Sequence, residues 1–265
     1  MPTPSTARLQ DFTVVSNDPI ADGVYALVIS APELSRSVEP GQFVELAVPG
    51  NAMSLLRIPF SFADADPERG TVDIWYAVRG EGTERLTHMA PGDASTLIGP
   101  GGHGWTVPAG CGRAMLVGGG VGVPPILHLA RLLSARGIPF DVCTGARTAA
   151  ALIGVDEFRS LPGCGEVVVR TDDGSAGERG FCTDPAAEML AAGGYGYAAT
   201  CGPAVMMKKV AAAAAAAGVR CEVSMERMMS CGFGACNTCN VETVDGMKGA
   251  CTCGPVFDAT KVVTW

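Results

Sequence analysis

Five cysteines crowd into 23 residues near the end of this 265-residue chain, at Cys231, Cys236, Cys239, Cys251 and Cys253, and their spacing constrains the fold more than any other feature. Cys231-Gly-Phe-Gly-Ala-Cys236-Asn-Thr-Cys239 reads C-x4-C-x2-C, and Cys251 follows after eleven residues. Such spacing suits a loop that wraps two irons and presents three thiolates, with a fourth arriving from further along the chain. Gly232 and Gly234 let the loop turn without side-chain clashes. A structural zinc site is the alternative. Its motifs usually pair one C-x2-C with another or with histidines, and the histidines here, His88, His103 and His128, all lie far upstream. The metal ligands expected are Cys231, Cys236, Cys239 and Cys251, with Cys253 competing for the fourth place.

The other six cysteines are scattered, and residues 1–12 contain no apolar run of the kind a secretion signal needs, so reduced thiols and a cytoplasmic location are expected. A net charge of -8 repels phosphate backbones and argues against nucleic acid. The most apolar stretch, Ala114 to Ala130, is broken by Gly118, Gly119, Gly120, Gly122, Pro124 and Pro125, which argues against membrane residence.

Upstream of the cysteines the grammar changes once. From Leu9 to about Val107, short strands closed by Gly, Pro, Asn or Asp predict an antiparallel barrel. From Ala114 the pattern becomes strand, glycine turn, helix (about 124–136), strand, and the alternation continues through a helix over 204–217. That predicts an α/β nucleotide-binding domain with a parallel sheet. The chain thus reads as α+β and multidomain, with boundaries near 107 and 221: a barrel over 1–107, an α/β domain over 108–221 and a small cysteine-rich domain over 222–265. Val117-Gly-Gly-Gly-Val-Gly-Val-Pro-Pro-Ile126 is a strand-to-helix glycine turn suited to a dinucleotide pyrophosphate, although not a strict G-x-G-x-x-G, and a purely structural turn is its alternative.

Four segments occur in a telling order. These are Leu56-Arg57-Ile58-Pro59-Phe60-Ser61-Phe62, Gly80-Glu81-Gly82-Thr83-Glu84-Arg85-Leu86, the 118–125 turn, and Cys201-Gly202-Pro203 before the last helix. With the tail Ser224 to Cys236 and Gly254-Pro255-Val256-Phe257, the chain resembles the ferredoxin-NADP reductase superfamily. Within it, the chain is similar to the electron-transfer subunits of two-subunit, NAD-dependent dihydroorotate dehydrogenases. The resemblance spans essentially the whole sequence. It implies FAD on the barrel, NAD(H) on the α/β domain and a 2Fe-2S cluster in the tail.

The resemblance also implies roles. Arg57, Pro59, Phe60 and Ser61 would line the flavin, with Ser61 near its reactive edge and Arg57 near the ribityl or phosphate. Gly80, Gly82 and Thr83 would hold the pyrophosphate. Gly118, Gly119, Gly120, Gly122, Cys201, Gly202 and Pro203 would shape the nicotinamide entry, with Ser61 and Cys201 as the expected catalytic residues. Two departures stand out: Ile58 occupies the position usually held by arginine, and Cys253 replaces an aspartate before Gly-Pro.

Nicotinamides exchange hydride while a 2Fe-2S cluster takes one electron at a time, so a flavin between them is the required converter. The resemblance implies an FMN-containing catalytic partner that oxidises dihydroorotate in pyrimidine biosynthesis, assembled as a heterotetramer of two subunit pairs. The alternatives are a chain of the same build serving another partner, such as a hydrogenase or a bifurcating ferredoxin reductase, and a non-enzymatic zinc-stabilised module. Met225, Met228, Met229 and Phe233 flank the cysteines and suit either core filling or an adaptable interface.

Overall fold

The computed structural model describes residues 7–48 and 56–265. In its first half, β2 (Val24–Ser30) and β6 (Thr71–Ala77) carry buried positions at alternate residues over much of their length, the pattern of a sheet with one face on a core. The elements are β1 (Arg8–Ala21), β2 (Val24–Ser30), α1 (Pro32–Ser37), β3 (Phe43–Leu46), β4 (Ile58–Ser61), β5 (Asp64–Asp66), β6 (Thr71–Ala77), α2 (Glu81–Leu86) and β7 (Ala94–Gly101). They form a seven-stranded antiparallel sheet in the order β4-β3-β7-β1-β2-β6-β5. The sheet curls until β4 meets β6, where the Phe60 and Tyr76 rings lie 5.7 Å apart. No ladder joins these two strands among the described residues, so the expected barrel takes the form of a curled half-barrel. Its core is apolar, from Phe12, Leu27, Val44, Leu46, Ile74 and Leu97.

The second half is βα alternation: β8 (Ala114–Gly119), α3 (Val123–Ala135), β9 (Phe140–Ala146), α4 (Val155–Ser160), β10 (Cys164–Thr171), β11 (Glu178–Arg179), α5 (Thr183–Ala192), β12 (Tyr197–Cys201), α6 (Ala204–Ala216) and β13 (Cys221–Ser224). The strands pair in parallel as β11-β10-β9-β8-β12-β13. The order reverses between β8 and β12. In open α/β sheets the crevice at such a reversal is where ligands bind. The alanine run lies in α6, and the chain turns away at Gly218, whose φ of +69° favours glycine. Among the described residues no helix is long and apolar enough to cross a membrane.

The tail holds β14 (Asn240–Thr243), β15 (Gly246–Gly249), α7 (Ala250–Cys253) and β16 (Val256–Asp258). Here the structure adds a feature that periodicity did not announce. After the cysteine segment the chain returns, and β16 pairs antiparallel with β13 at the edge of the parallel sheet. Met225, Met229, Cys239, Cys251 and Phe257 share one core with residues of α5 and α6, and Phe43 of the first sheet joins it. The cysteine segment is therefore packed into the body of the protein. Met228 and Phe233, by contrast, are exposed.

Two contacts lock the halves together. The His103 N–H donates to the Gly254 carbonyl at 2.6 Å, so the end of the first sheet grips the tail. Buried Glu222 accepts from the Thr106 N–H at 2.8 Å, the Tyr197 hydroxyl at 2.7 Å and Arg220 at 2.7 Å, and so ties the connecting segment to β13.

Candidate redox centre

The four expected cluster cysteines come together as two pairs. Cys231 is within hydrogen-bonding range of Cys236, and Cys251 is in the same relation to Cys239. The Cys251 N–H also donates to Cys239 Sγ at 3.4 Å. Among the described residues no three metal-binding side chains converge on a single ion. Four thiolates in the C-x4-C-x2-C and C-x11-C spacing are the set that would hold a 2Fe-2S cluster. Exposed Cys236 is held down to about 6 by hydrogen bonds from the Thr238 hydroxyl and backbone and from Cys231. Burial, with Cys239 beside it, pushes the Cys251 thiol up to about 12. A bound cation reverses that second shift, because a coordinating thiol is deprotonated outright.

Backbone geometry serves the same centre. Gly232 and Gly234 have φ of +72° and +90°, and a Cβ on Gly234 would stand 2.6 Å from Thr252 Cγ2. The Gly234 N–H donates to Cys251. Cys251 and Cys253 both lie in α7, and two residues along a helix turn about 200°, so the side chains leave on opposite faces. Cys251 faces Cys239, while Cys253 receives the Thr252 hydroxyl at 3.8 Å and packs on the apolar core. The donor set therefore fits a 2Fe-2S cluster on Cys231, Cys236, Cys239 and Cys251.

On the first sheet, Arg57 donates to the Thr96 carbonyl at 2.7 Å and to its hydroxyl at 2.9 Å. Its guanidinium is committed to the β7 neighbourhood. Strand pairing sets Pro59 opposite Glu45 and Ser61 opposite Phe43, so alternation turns Ile58 and Phe60 to the other face. Ile58 is met there by Gly82: a Cβ on Gly82 would stand 2.7 Å from Ile58 Cδ1. Thr83 holds the 80–83 turn, with Oγ1 accepting from the Arg79 N–H at 2.8 Å and the Gly80 N–H at 3.2 Å while donating to the Gly80 carbonyl. The close approach of Gly82 to Ile58 leaves no room for a side chain at this position.

At the β8–β12 reversal the glycines are tight. A Cβ on Gly119 would stand 2.6 Å from Met206 Sδ, and one on Gly118 3.1 Å from Val123 Cγ2. Gly120 and Gly202 have φ of +54° and +149°, and a Cβ on Gly120 would meet only open space. Pro203 precedes α6 and packs against Gly119. Burial pushes the Cys201 thiol up to about 12, so it is neutral at physiological pH. Ser61 and Cys201 end strands of different sheets. Sequence reading missed Glu45, Thr96, Met206 and Thr238. Glu45 had a signal, a lone charge within Phe43-Val44-Glu45-Leu46; the others are ordinary residues in ordinary strings.

Residues 226–263 match the iron-sulfur cluster binding domain of dihydroorotate dehydrogenase B. The dihydroorotate dehydrogenase B (NAD(+)) electron transfer subunit of Geobacillus thermodenitrificans is 41% identical over 258 residues, covering 95% of this chain and 97% of that one. This chain belongs to that family. The Desulforamulus reducens member is 32% identical, covering 97% and 99% of the two chains. Among solved structures, an NADH-dependent reduced ferredoxin-NADP oxidoreductase superposes with a TM-score of 0.82 at 33% identity, covering 95% of this chain and 89% of that one. Phthalate dioxygenase reductase shares the fold, with a TM-score of 0.63 at 17% identity over 89% and 87% of the chains. As an electron-transfer subunit of the dihydroorotate dehydrogenase B family, the chain is an oxidoreductase whose cofactors are FAD and a 2Fe-2S cluster, with NAD(H) as co-substrate.

Proposed function

We propose that this chain is the NAD-linked half of a two-subunit dihydroorotate dehydrogenase, working in the cytoplasm with a partner that binds FMN and oxidises dihydroorotate. The assembly is a heterotetramer of two subunit pairs. The observation that carries this reading is the seating of the paired cysteines against the first sheet, with Gly232 on Glu45 of β3 and Gly254 on His103. A cluster loop packed on the flavin strands gives electrons a short way through one folded unit.

FAD, when bound, exchanges hydride with a nicotinamide and single electrons with an iron–sulfur centre. The chain's own residues bind and orient. Residues 1–107 would take the flavin, with Pro59, Phe60 and Ser61 of β4 and the preceding Arg57 beside it, and the Gly80, Gly82 and Thr83 turn at its pyrophosphate. Residues 108–221 take NAD(H) over Gly118, Gly119, Gly120 and Gly122, with Cys201, Gly202 and Pro203 shaping the nicotinamide pocket. Ser61 would stand near the flavin's reacting edge, and Cys201 would shape the nicotinamide entry. Residues 222–265 hold the cluster.

The likeness to the ferredoxin-NADP oxidoreductase favours a second reading, the same build serving another redox partner. One assay separates them. The chain alone reduces artificial acceptors with NADH and forms no orotate, and orotate appears when the dihydroorotate-oxidising subunit is added. Orotate formation by the single chain overturns the reading, and an unresponsive complex favours the second.

A further inference from the structure

Glu45 is 1% exposed, and neither carboxylate oxygen has a hydrogen-bond partner among the described residues. A buried carboxyl without partners is destabilising, and it persists where a finished site makes use of it. Its position is specific. β3 sets it opposite Pro59 of the flavin strand, and across the seam a Cβ on Gly232 would lie within contact distance of Glu45 Cγ and 2.9 Å from Oε1. Gly232 follows Cys231 directly, and its φ of +72° already excludes most side chains. Burial pushes the carboxyl up to about 7; Arg57 pulls it down, and Cys236 pushes it up again. The carboxyl and the exposed limb of the cluster site therefore feel each other's charge.

We propose that Glu45 is a positioning residue for the iron–sulfur centre, filling the seam between the flavin strand and the Cys231–Cys236 loop and lowering, by its negative charge, the potential at which the centre takes up an electron. The inference rests on the iron–sulfur reading of the cysteines. A nearby anion disfavours the more negative, reduced form of the centre, and net charge is one of the levers on cluster potentials.

The test uses the full chain, with iron and acid-labile sulfide assayed first and the centre then titrated by EPR at a series of fixed, increasingly alkaline pH values. Glu45→Gln keeps the iron content and shifts the midpoint upward, while Glu45→Asp, which keeps the charge, stays nearer the wild type. An unchanged midpoint in a fully loaded Glu45→Gln chain overturns the proposal alone. A wild-type chain that binds no iron removes the underlying reading as well. Should Glu45→Gln assemble no centre, Glu45→Met removes the charge while still filling the seam. The midpoint then rises, and an unmoved midpoint there overturns the proposal.

Discussion

Gly122 lies directly against Cys201: a Cβ built on Gly122 would overlap the Cys201 carbonyl and stand 2.6 Å from the Gly202 nitrogen. The two residues come from opposite sides of the strand-order reversal, so their contact closes the floor of the crevice there. Backbone cannot yield as a flexible side chain can. Gly122→Ala is therefore expected to part β8 from β12, lowering NADH oxidation about tenfold or more while FAD remains bound. Stopped-flow flavin reduction by NADH measures this, and wild-type rates in the variant would remove the crevice from the reaction.

The Gly82–Ile58 contact makes a separate prediction for the flavin. Gly82→Val forces Ile58 aside and lifts the 80–83 turn, so FAD content per chain after gel filtration should drop severalfold and NADH oxidation with it. Stoichiometric FAD in that variant would show that the turn is not at the pyrophosphate.

Opposite faces of α7 distinguish two thiols. Cys251→Ser should lose or strongly shift the cluster's EPR and visible signals, and Cys253→Ser should leave them in place. Flavin-dependent reduction of an artificial acceptor survives in both, since it needs no cluster. The reverse pattern would make Cys253 the ligand.

Met228 is 76% exposed and Phe233 48%, beside the cluster loop. Exposed apolar side chains in such a place suit a partner's surface. Met228→Lys combined with Phe233→Asp should weaken complex formation with the dihydroorotate-oxidising subunit by about tenfold or more without changing NADH oxidation by the chain alone. Equal affinity by calorimetry would take this loop out of the interface.

His128 in α3 is buried, its Nδ1 has no partner among the described residues, and burial with Arg131 nearby pulls its pKa down to about 4. Between about pH 6.5 and 4 the unfolded chain binds this proton and the folded chain does not, so stability falls as pH falls through that window. At about pH 5 the loss relative to neutral pH is on the order of 2 kcal/mol. His128→Leu should remove that part of the acid sensitivity. Denaturant midpoints at neutral pH and at about pH 5 check it: the same acid-induced loss in both proteins would mean another group carries it.

Much of this protein was legible in one dimension because its signals are local. The C-x4-C-x2-C run, the 118–125 glycine turn and the change from strand spacing to βα alternation each depend on residues close in the chain, where turn geometry and periodicity act. Element ends shifted by a residue or so in α3 and α6, and the short elements α1, α2, α4 and β5 carried too few periods to stand out. The cysteine spacing and the 118–125 turn thus announced an iron–sulfur centre and a dinucleotide, while the flavin and the 80–83 turn came in with the family resemblance. Which residues meet is a property of the packed chain. Packing sent Arg57 to Thr96, Gly82 to Ile58 and Gly232 to Glu45, and it returned the tail to β13 through β16. Such contacts join positions far apart in the sequence. They are selected by burial and close packing of the whole molecule, which no local pattern encodes.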